Sequence, residues 1–212
     1  FNTMTDEVVR RQEAVERSHR EAATLLAIAR TVGGTLDLQE ALRVVCRELA
    51  RLTGAETASV HLLDPEGTEL RPFAAYHVPR EMLAVLGTTP LPLLEQGFGP
   101  ELVEGRPLWS DDVPNDPRFE SPLFRRYRHQ SGLIIPLVLD GKVSGAFYLV
   151  WWRDRRGFDA SELGALQIVG RQVGMLLQNA RLYQAVEVRA ARLRTLVQLN
   201  QDQPQRLYDT AE

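Results

Sequence analysis

The chain predicts an α+β fold in which helices pack on an antiparallel sheet, and three stretches of sequence carry that expectation. Residues 131–150, SGLIIPLVLDGKVSGAFYLV, read as a β-hairpin, with Asp140-Gly141 where a two-residue turn needs positive φ. A second strand pair runs through Glu56 to Leu63 and Glu69 to His77. Helical patterns flank both pairs, one before Gly54 and one after Asp159. In the hairpin, Leu133, Ile135, Leu137 and Leu139 share one face, while Ile134 and Val138 make the opposite face apolar too. In its second strand Val143, Phe147 and Leu149 point one way, and Ala146, Tyr148 and Val150 the other. Antiparallel sheets usually wet one face, so a sheet apolar on both must be covered on both.

Residues 5–32 predict the first helix. Val8, Val15, Ala22 and Ala29 recur every seven residues, with Leu25 and Val32 between them, a leaky heptad of the kind that leads from a coiled coil into a globular body. Gly33-Gly34 stop it. Asp37 and Glu40 form a capping box for the next helix, whose stripe is Leu38, Leu42, Val45, Leu49 and Leu52, and Gly54 ends it. Asp64-Pro65-Glu66-Gly67 turns the first strand pair. From Pro79 to Phe124 the chain is rich in proline and glycine with only short apolar runs. It is too long for a bare loop, so it predicts short helices and one strand at Pro107 to Ser110. Pro122 to Gln130 is an arginine-rich helix candidate. Asp159 caps the last helix with Glu162 completing the box and Phe158 stapling onto Leu163. That helix carries Val169, Leu176, Tyr183, Ala190 and Val197 at seven-residue spacing, with Val186 and Leu193 between, and so reads as a coiled-coil stalk. Thr195 to Gln201 echoes Thr24 to Arg30, either the start of a second copy or a chance likeness between helices.

Composition narrows the function. At 212 residues and 44% hydrophobic, the chain can bury a full-sized core. No apolar run is long enough for a transmembrane helix, and no secretory signal opens the chain, so a cytoplasmic location is expected. Phe1-Asn2-Thr3 ahead of Met4 reads as a cloning remnant. The single cysteine, Cys46, rules out an intramolecular disulfide and argues against a zinc cluster. A net charge of -3 gives no electrostatic case for nucleic-acid binding.

The order of helices, strand pair, irregular middle, hairpin and long helix resembles a GAF domain. The matching residues are spread over LLAIARTVGGTLDLQEALRVVCRELARLTGAETASVHLLD (25–64), GFGPELVEGRPLWSDDV (97–113), the hairpin, and FDASELGALQIVGRQVGMLLQNARLY (158–183). The resemblance implies a GAF-like α/β/α layering. About six antiparallel strands carry terminal helices on one face and a lid of loops and short helices on the other. It also implies domain limits of 4–22 for a signalling and dimerisation helix, 23–183 for the GAF domain, and 184–212 for a linker helix leading to a following domain. The lid would be the Pro79 to Phe124 segment. Members of this family enclose a small regulatory ligand between lid and sheet and dimerise through their terminal helices.

Candidate pocket residues follow from this placement. Trp109, Asp111, Asp112, Arg118, Phe119, Tyr127, His129 and Ser131 combine rings with convergent polar groups beside an apolar floor, suited to a planar ligand. The alternative is that Asp111, Asp112 and Asp116 hydrogen-bond their own turns while Trp109 and Phe119 are core. Arg125, Arg126, Arg128 and His129 either clamp a phosphate or carboxylate, or form the solvated side of a short helix. Leu91, Leu93, Leu94, Phe98 and Leu102 can fill the space if no ligand binds. Gly145 in mid-strand suggests either a close approach, for which a helix packed across the sheet is the preferred reading, or a bulge in the strand. The dimer-helix candidates are Val8, Val15, Ala22, Leu176, Tyr183, Ala190 and Val197.

No histidine pair has metal-ligand spacing, and His61, alone in a strand, reads as a satisfied core residue. No metal site is therefore expected, and haem is not expected. Cys46, on the helix-packed side of its helix, is misplaced for a bilin thioether, and the cofactor stays unknown. The asparagine-lysine-phenylalanine motif of cyclic-nucleotide GAF domains is missing.

The chain therefore reads as a non-catalytic sensory module of a bacterial signalling protein, a homodimer with a following output or second sensory domain. It would take an unidentified small molecule as ligand and no nucleic acid. The alternatives are a ligand-free dimerisation spacer and a GAF-fold enzyme such as a methionine-sulfoxide reductase. That enzyme needs a resolving thiol that one cysteine cannot provide.

Overall fold

The computed structural model describes residues 38–88 and 91–208. The helix expected at 5–32, with Val8, Val15 and Ala22, lies outside the described residues, as does the Asp37 cap. Helix α1 (Leu38–Thr53) buries Leu42, Val45, Cys46 and Leu49 with Ala41 and Ala50, and it packs on β1 (Thr57–Leu63) and β2 (Glu69–Tyr76). Leu52, expected on the same stripe, is exposed in the last turn, where the chain leaves for β1 through Gly54 at φ 75°. The β1–β2 turn closes with the Gly67 amide donating to the Asp64 carbonyl at 3.0 Å. The Asp64 carboxylate accepts from the Thr68 and Glu69 amides at 2.8 and 3.1 Å, so one side chain holds the start of β2.

The lid segment folds into α2 (Arg80–Thr88), the two-residue strand β3 (Leu91–Pro92), α3 (Gly99–Val103), β4 (Leu108–Ser110) and α4 (Pro122–Arg126). Three 3-10 turns, at Leu93–Glu95, Val113–Asn115 and Pro117–Phe119, link these pieces. β4 lies where the sequence places a strand, whereas β3 is too short to leave a period. Ser121 caps α4 through its hydroxyl on the Leu123 amide at 3.3 Å.

Strands β5 (Ser131–Leu139) and β6 (Lys142–Trp151) form the expected hairpin, with Asp140 and Gly141 at φ 49° and 73°. The sheet has six antiparallel strands in the order β3-β2-β1-β6-β5-β4. The lid covers one face, over a core that includes Ile134, Ala146, Tyr148 and Val150 from the hairpin. Leu133, Ile135, Leu137, Phe147 and Leu149 alternate with these and are buried on the opposite face.

Within the β5–β6 hairpin the alternation fails at one place. Leu137 pairs with Gly145 but Val138 with Val143, which leaves Ser144 as an extra residue in β6. A bulge of this kind reverses the facing of the residues on its far side. Val143 therefore packs on the lid-side core and not beside Phe147 and Leu149 as simple alternation would have it. Gly145 answers to backbone and not to a crossing helix. A Cβ there would stand 2.3 Å from the His61 carbonyl oxygen and 3.0 Å from the Leu62 Cα.

Helix α5 (Ala160–Tyr208) begins as the sequence predicts. Asp159 accepts from the Glu162 amide at 2.8 Å, and the Glu162 carboxylate accepts from the Asp159 amide at 3.2 Å. Phe158 lies edge-on to Trp151 and Trp109, with ring centroids at 5.5 and 6.1 Å, and beneath the Arg156 guanidinium. Further along, Gly170 and Gly174 bring the helix against β5. Cβ atoms there would fall 2.4 Å from the Pro136 carbonyl oxygen and 2.7 Å from that of Val138. The compact unit closes at Gly174, and the helix from Met175 forms a unit of its own.

These contacts set the signs of three substitutions. Gly145→Ala and Gly170→Ala should each destabilise the fold by about 1–3 kcal/mol, because backbone cannot move aside as a side chain can. Gly164→Ala, in the same helix with nothing within 4 Å of the added Cβ, should stabilise by about 0.8 kcal/mol through helix propensity. Urea denaturation of the three variants checks both signs.

Candidate ligand cavity and the adjoining groove

Strand β1 contributes most to the sheet's polar chemistry on the lid side. Ser59 and His61, two residues apart, face the lid from a strand whose Ala58 and Val60 are fully buried behind it. They line a cavity of about 40 Å³ together with apolar lid residues that include Met82, Leu86, Phe98 and Leu102. This space accommodates about one water molecule. His61 is 7% exposed, and its Nε2 lies 3.1 Å from the Ser59 hydroxyl. Its Nδ1 has no hydrogen-bond partner. The sequence-based expectation of a satisfied core histidine is thus half met: one ring nitrogen is paired and the other is not. A periodic signal is present in the sequence, since Thr57, Ser59 and His61 are polar at alternate positions of β1 and the rest of the strand is apolar.

A second space lies outside the first. A groove of about 430 Å³ runs between the 3-10 turns at 113–119 and α4, with Asp116, Glu120, Arg125, Arg128 and His129 among its lining residues. Phe124 lines both spaces and stacks on Tyr148 with centroids 4.9 Å apart. His129 completes the partition. Its Nδ1 lies 2.9 Å from the Tyr127 carbonyl oxygen, which can only accept, so the proton sits on Nδ1. Nε2 then accepts from the Tyr148 hydroxyl. Burial pushes the His129 imidazolium down, partly offset by the Tyr127 carbonyl, and pushes the Tyr148 phenol well above its usual range. Both groups are therefore neutral at pH 7. Gly132 makes room for this pair, because a Cβ there would meet the Tyr148 oxygen at 2.8 Å.

The structure separates the residues that the sequence grouped as one pocket. Phe119 and His129 line the groove, but Trp109 faces the opposite side of the sheet from Leu108 and packs on Phe158. Arg118 makes two hydrogen bonds to the Asp116 carboxylate, at 2.6 and 3.0 Å, and this holds Asp116 below the usual carboxylate range. Asp112 pairs with Arg155 at 3.0 Å and accepts from the Asn115 amide. Asp111 is exposed and accepts through its backbone carbonyl from Gln130 at 3.1 Å. Ser131 is fully buried, its hydroxyl 2.8 Å from the Asp154 carbonyl oxygen and accepting from the Arg156 amide at 2.9 Å. Tyr127 donates its hydroxyl to the Glu81 carbonyl at 3.2 Å, tying α4 to α2. Arg125 pairs with Glu120, and Arg126 lies over the Tyr127 ring.

Cys46, on the buried face of α1, lines neither space, and burial raises its thiol to about 12. Among the described residues, no three metal-ligating side chains converge and no helix is long and apolar enough to cross a membrane.

Burial lowers the His61 pKa from 6.5 to about 4. Between these values the unfolded chain binds more protons than the folded one, so stability is full above pH 6.5 and is lost as pH falls towards 4. The loss from this group is on the order of 3 kcal/mol. His61→Leu should flatten that limb of the pH–stability curve and leave the smaller contribution of His129, as read by urea midpoints across the range.

Comparison with known proteins fits this geometry. Among solved structures, the GAF domain of a phosphoenolpyruvate-protein phosphotransferase from Coxiella burnetii superposes with a TM-score of 0.65 at 18% identity, over 81% of this chain and 96% of that one. Residues 122–287 of a methyl-accepting chemotaxis protein superpose with a TM-score of 0.61 at 23% identity, over 74% and 99%. A free methionine-R-sulfoxide reductase from Neisseria meningitidis, solved with its substrate, gives 0.59 at 19% identity, over 78% and 91%. At these identities the likeness is one of fold. No curated protein matches the chain. The family model described as GAF domain matches residues 35–178, most of the chain, and the chain belongs to the GAF domain family.

Proposed function

We propose that the chain is a non-catalytic sensory module of a bacterial cytoplasmic signalling protein, which dimerises through its terminal helices and reads a small ligand held between sheet and lid. The observation that carries the reading is the unpartnered Nδ1 of His61. It is a buried polar atom of a residue that lines an apolar cavity, and an unmade buried hydrogen bond costs about 1–3 kcal/mol. A ligand that meets this atom recovers that cost. The cavity must enlarge to admit anything bigger than water, so binding would shift the lid, and the shift would reach the helices only through differential affinity for two arrangements. GAF domains of bacterial signalling proteins share the fold, the chemotaxis protein among them.

Dimerisation draws support from α5. Met175, Leu182, Val186 and Leu193 are exposed large apolar side chains spaced seven, four and seven residues apart, which aligns them on one stripe. Val186 and Leu193 belong to the seam expected from sequence. Met175 and Leu182 stand beside the expected Leu176, which is half-buried. Ala190 is half-buried, and Tyr183 and Val197 are helical. Catalysis of the methionine-sulfoxide kind is disfavoured by the thiol inventory, since the sole cysteine is on the buried face of α1. On this reading residues 23–183 are the GAF domain and 184–212 a linker to a following domain.

The small cavity favours a second reading, a ligand-free spacer. Leu93, Phe98 and Leu102 are buried in the lid-side core as that reading requires, while Leu94 is 80% exposed. Native mass spectrometry of the full chain purified from a bacterial host separates the two. A copurifying small molecule that is lost in His61→Leu supports sensing. Bare chain mass, with no thermal shift across a metabolite panel, supports the spacer. Sedimentation tests the helices: a dimer at high micromolar concentration should become monomeric in Val186→Asp/Leu193→Asp, and a monomeric wild-type chain would overturn the dimer.

A further inference from the structure

We propose that the groove between the 113–119 turns and α4 is a second binding site, distinct from the sheet–lid cavity, for a small planar aromatic mono-anion such as an aromatic carboxylate. Its volume of about 430 Å³ falls in the range of small-molecule clefts, about 300–1,000 Å³. Pro114 and Pro117 supply exposed apolar surface, and the largely buried rings Phe119 and Phe124 reach the lining. The charges in the groove are already paired with one exception. Asp116 is held by Arg118, and Glu120 by Arg125. Arg128 lines the groove and forms no ion pair or hydrogen bond among the described residues.

His129 cannot take the anion's charge, because one of its ring nitrogens is committed to the Tyr127 carbonyl and the other to the Tyr148 hydroxyl. The recognising group is therefore a guanidinium, whose fork matches a carboxylate. A single unpaired cation suits one negative charge. A phosphate monoester, close to doubly charged at neutral pH, would set its second charge against Asp116 and Glu120. The site also bears on the interior, because Phe124, which lines it, is the ring that stacks on Tyr148 beside the cavity.

Fluorine NMR of the full chain at pH 7 tests this with 4-fluorobenzoate and its neutral counterpart 4-fluorobenzamide as probes. Saturable binding of the benzoate is expected, weaker by about tenfold for the benzamide and, in Arg128→Gln, for the benzoate. Arg126→Gln, an exposed arginine outside the groove lining, should leave binding unchanged, as should His61→Leu in the inner cavity. Equal binding of the two probes, indifference to Arg128→Gln, or no saturable binding of the benzoate would overturn the proposal. Loss of binding in His61→Leu would also overturn it, by moving the probe to the interior, while leaving the sensory reading standing.

Discussion

Burial of both faces of the β5–β6 hairpin is the constraint on which the rest of the architecture depends. Leu133, Ile135, Phe147 and Leu149 are withdrawn from water on one side, and Ile134, Ala146, Tyr148 and Val150 on the other. Each large side chain contributes about 1.5–3 kcal/mol when buried, so neither cover can be removed without exposing several such contributions at once. The lid is for that reason part of the folded core. It touches the sheet through Met82, Leu86, Phe98 and Leu102, and the residual space it leaves is about 40 Å³. A lid that is also core can open only by exchanging its own contacts for a ligand's.

The features legible in the sequence are those that rest on chemistry between near neighbours. The Asp140-Gly141 turn, the Asp159–Glu162 capping box and the Asp64–Gly67 turn each depend on a few adjacent residues, and all three form as read. The six-stranded sheet and its lid came with the family resemblance, because the matching segments occur in the right order. The features that escaped depend on pairing between distant strands. Ser144 becomes a bulge only because β5 and β6 slip by one residue beyond Leu137, and that slip reverses Val143. Gly145 reads as the footprint of a helix or as a bulge; the close neighbour is the backbone of β1, and the bulge lies one residue away at Ser144. Trp109 reads as either a pocket ring or a core residue, and its pairing on β4 with β5 decides between them by turning it towards Phe158.

The polar residues around the cavity, the groove and the adjoining turns divide into those that hold shape and those left with capacity. Asp112, Asp116, Arg118 and Ser131 are committed to partners that fix the path from β4 to β5 and from β6 to α5. His61 and Arg128 keep unspent hydrogen-bonding capacity, the first buried and neutral, the second exposed and charged. Phe124, Tyr148 and His129 form the wall between them, and the tautomer forced on His129 gives that wall a fixed direction of hydrogen bonding. Composition alone does not distinguish the two classes, since arginine serves in both.

The close approach of α5 to β5 has a mechanical side. Where Gly170 and Gly174 face the Pro136 and Val138 carbonyls, main chain meets main chain with no side chain between. Side chains at an ordinary helix–sheet contact can change rotamer and absorb a displacement, but a bare backbone contact has no such cushion. The two points behave as bearings. A strand that moves there must carry the helix with it or break away, so the first turns of α5 are geared to the sheet, with little play.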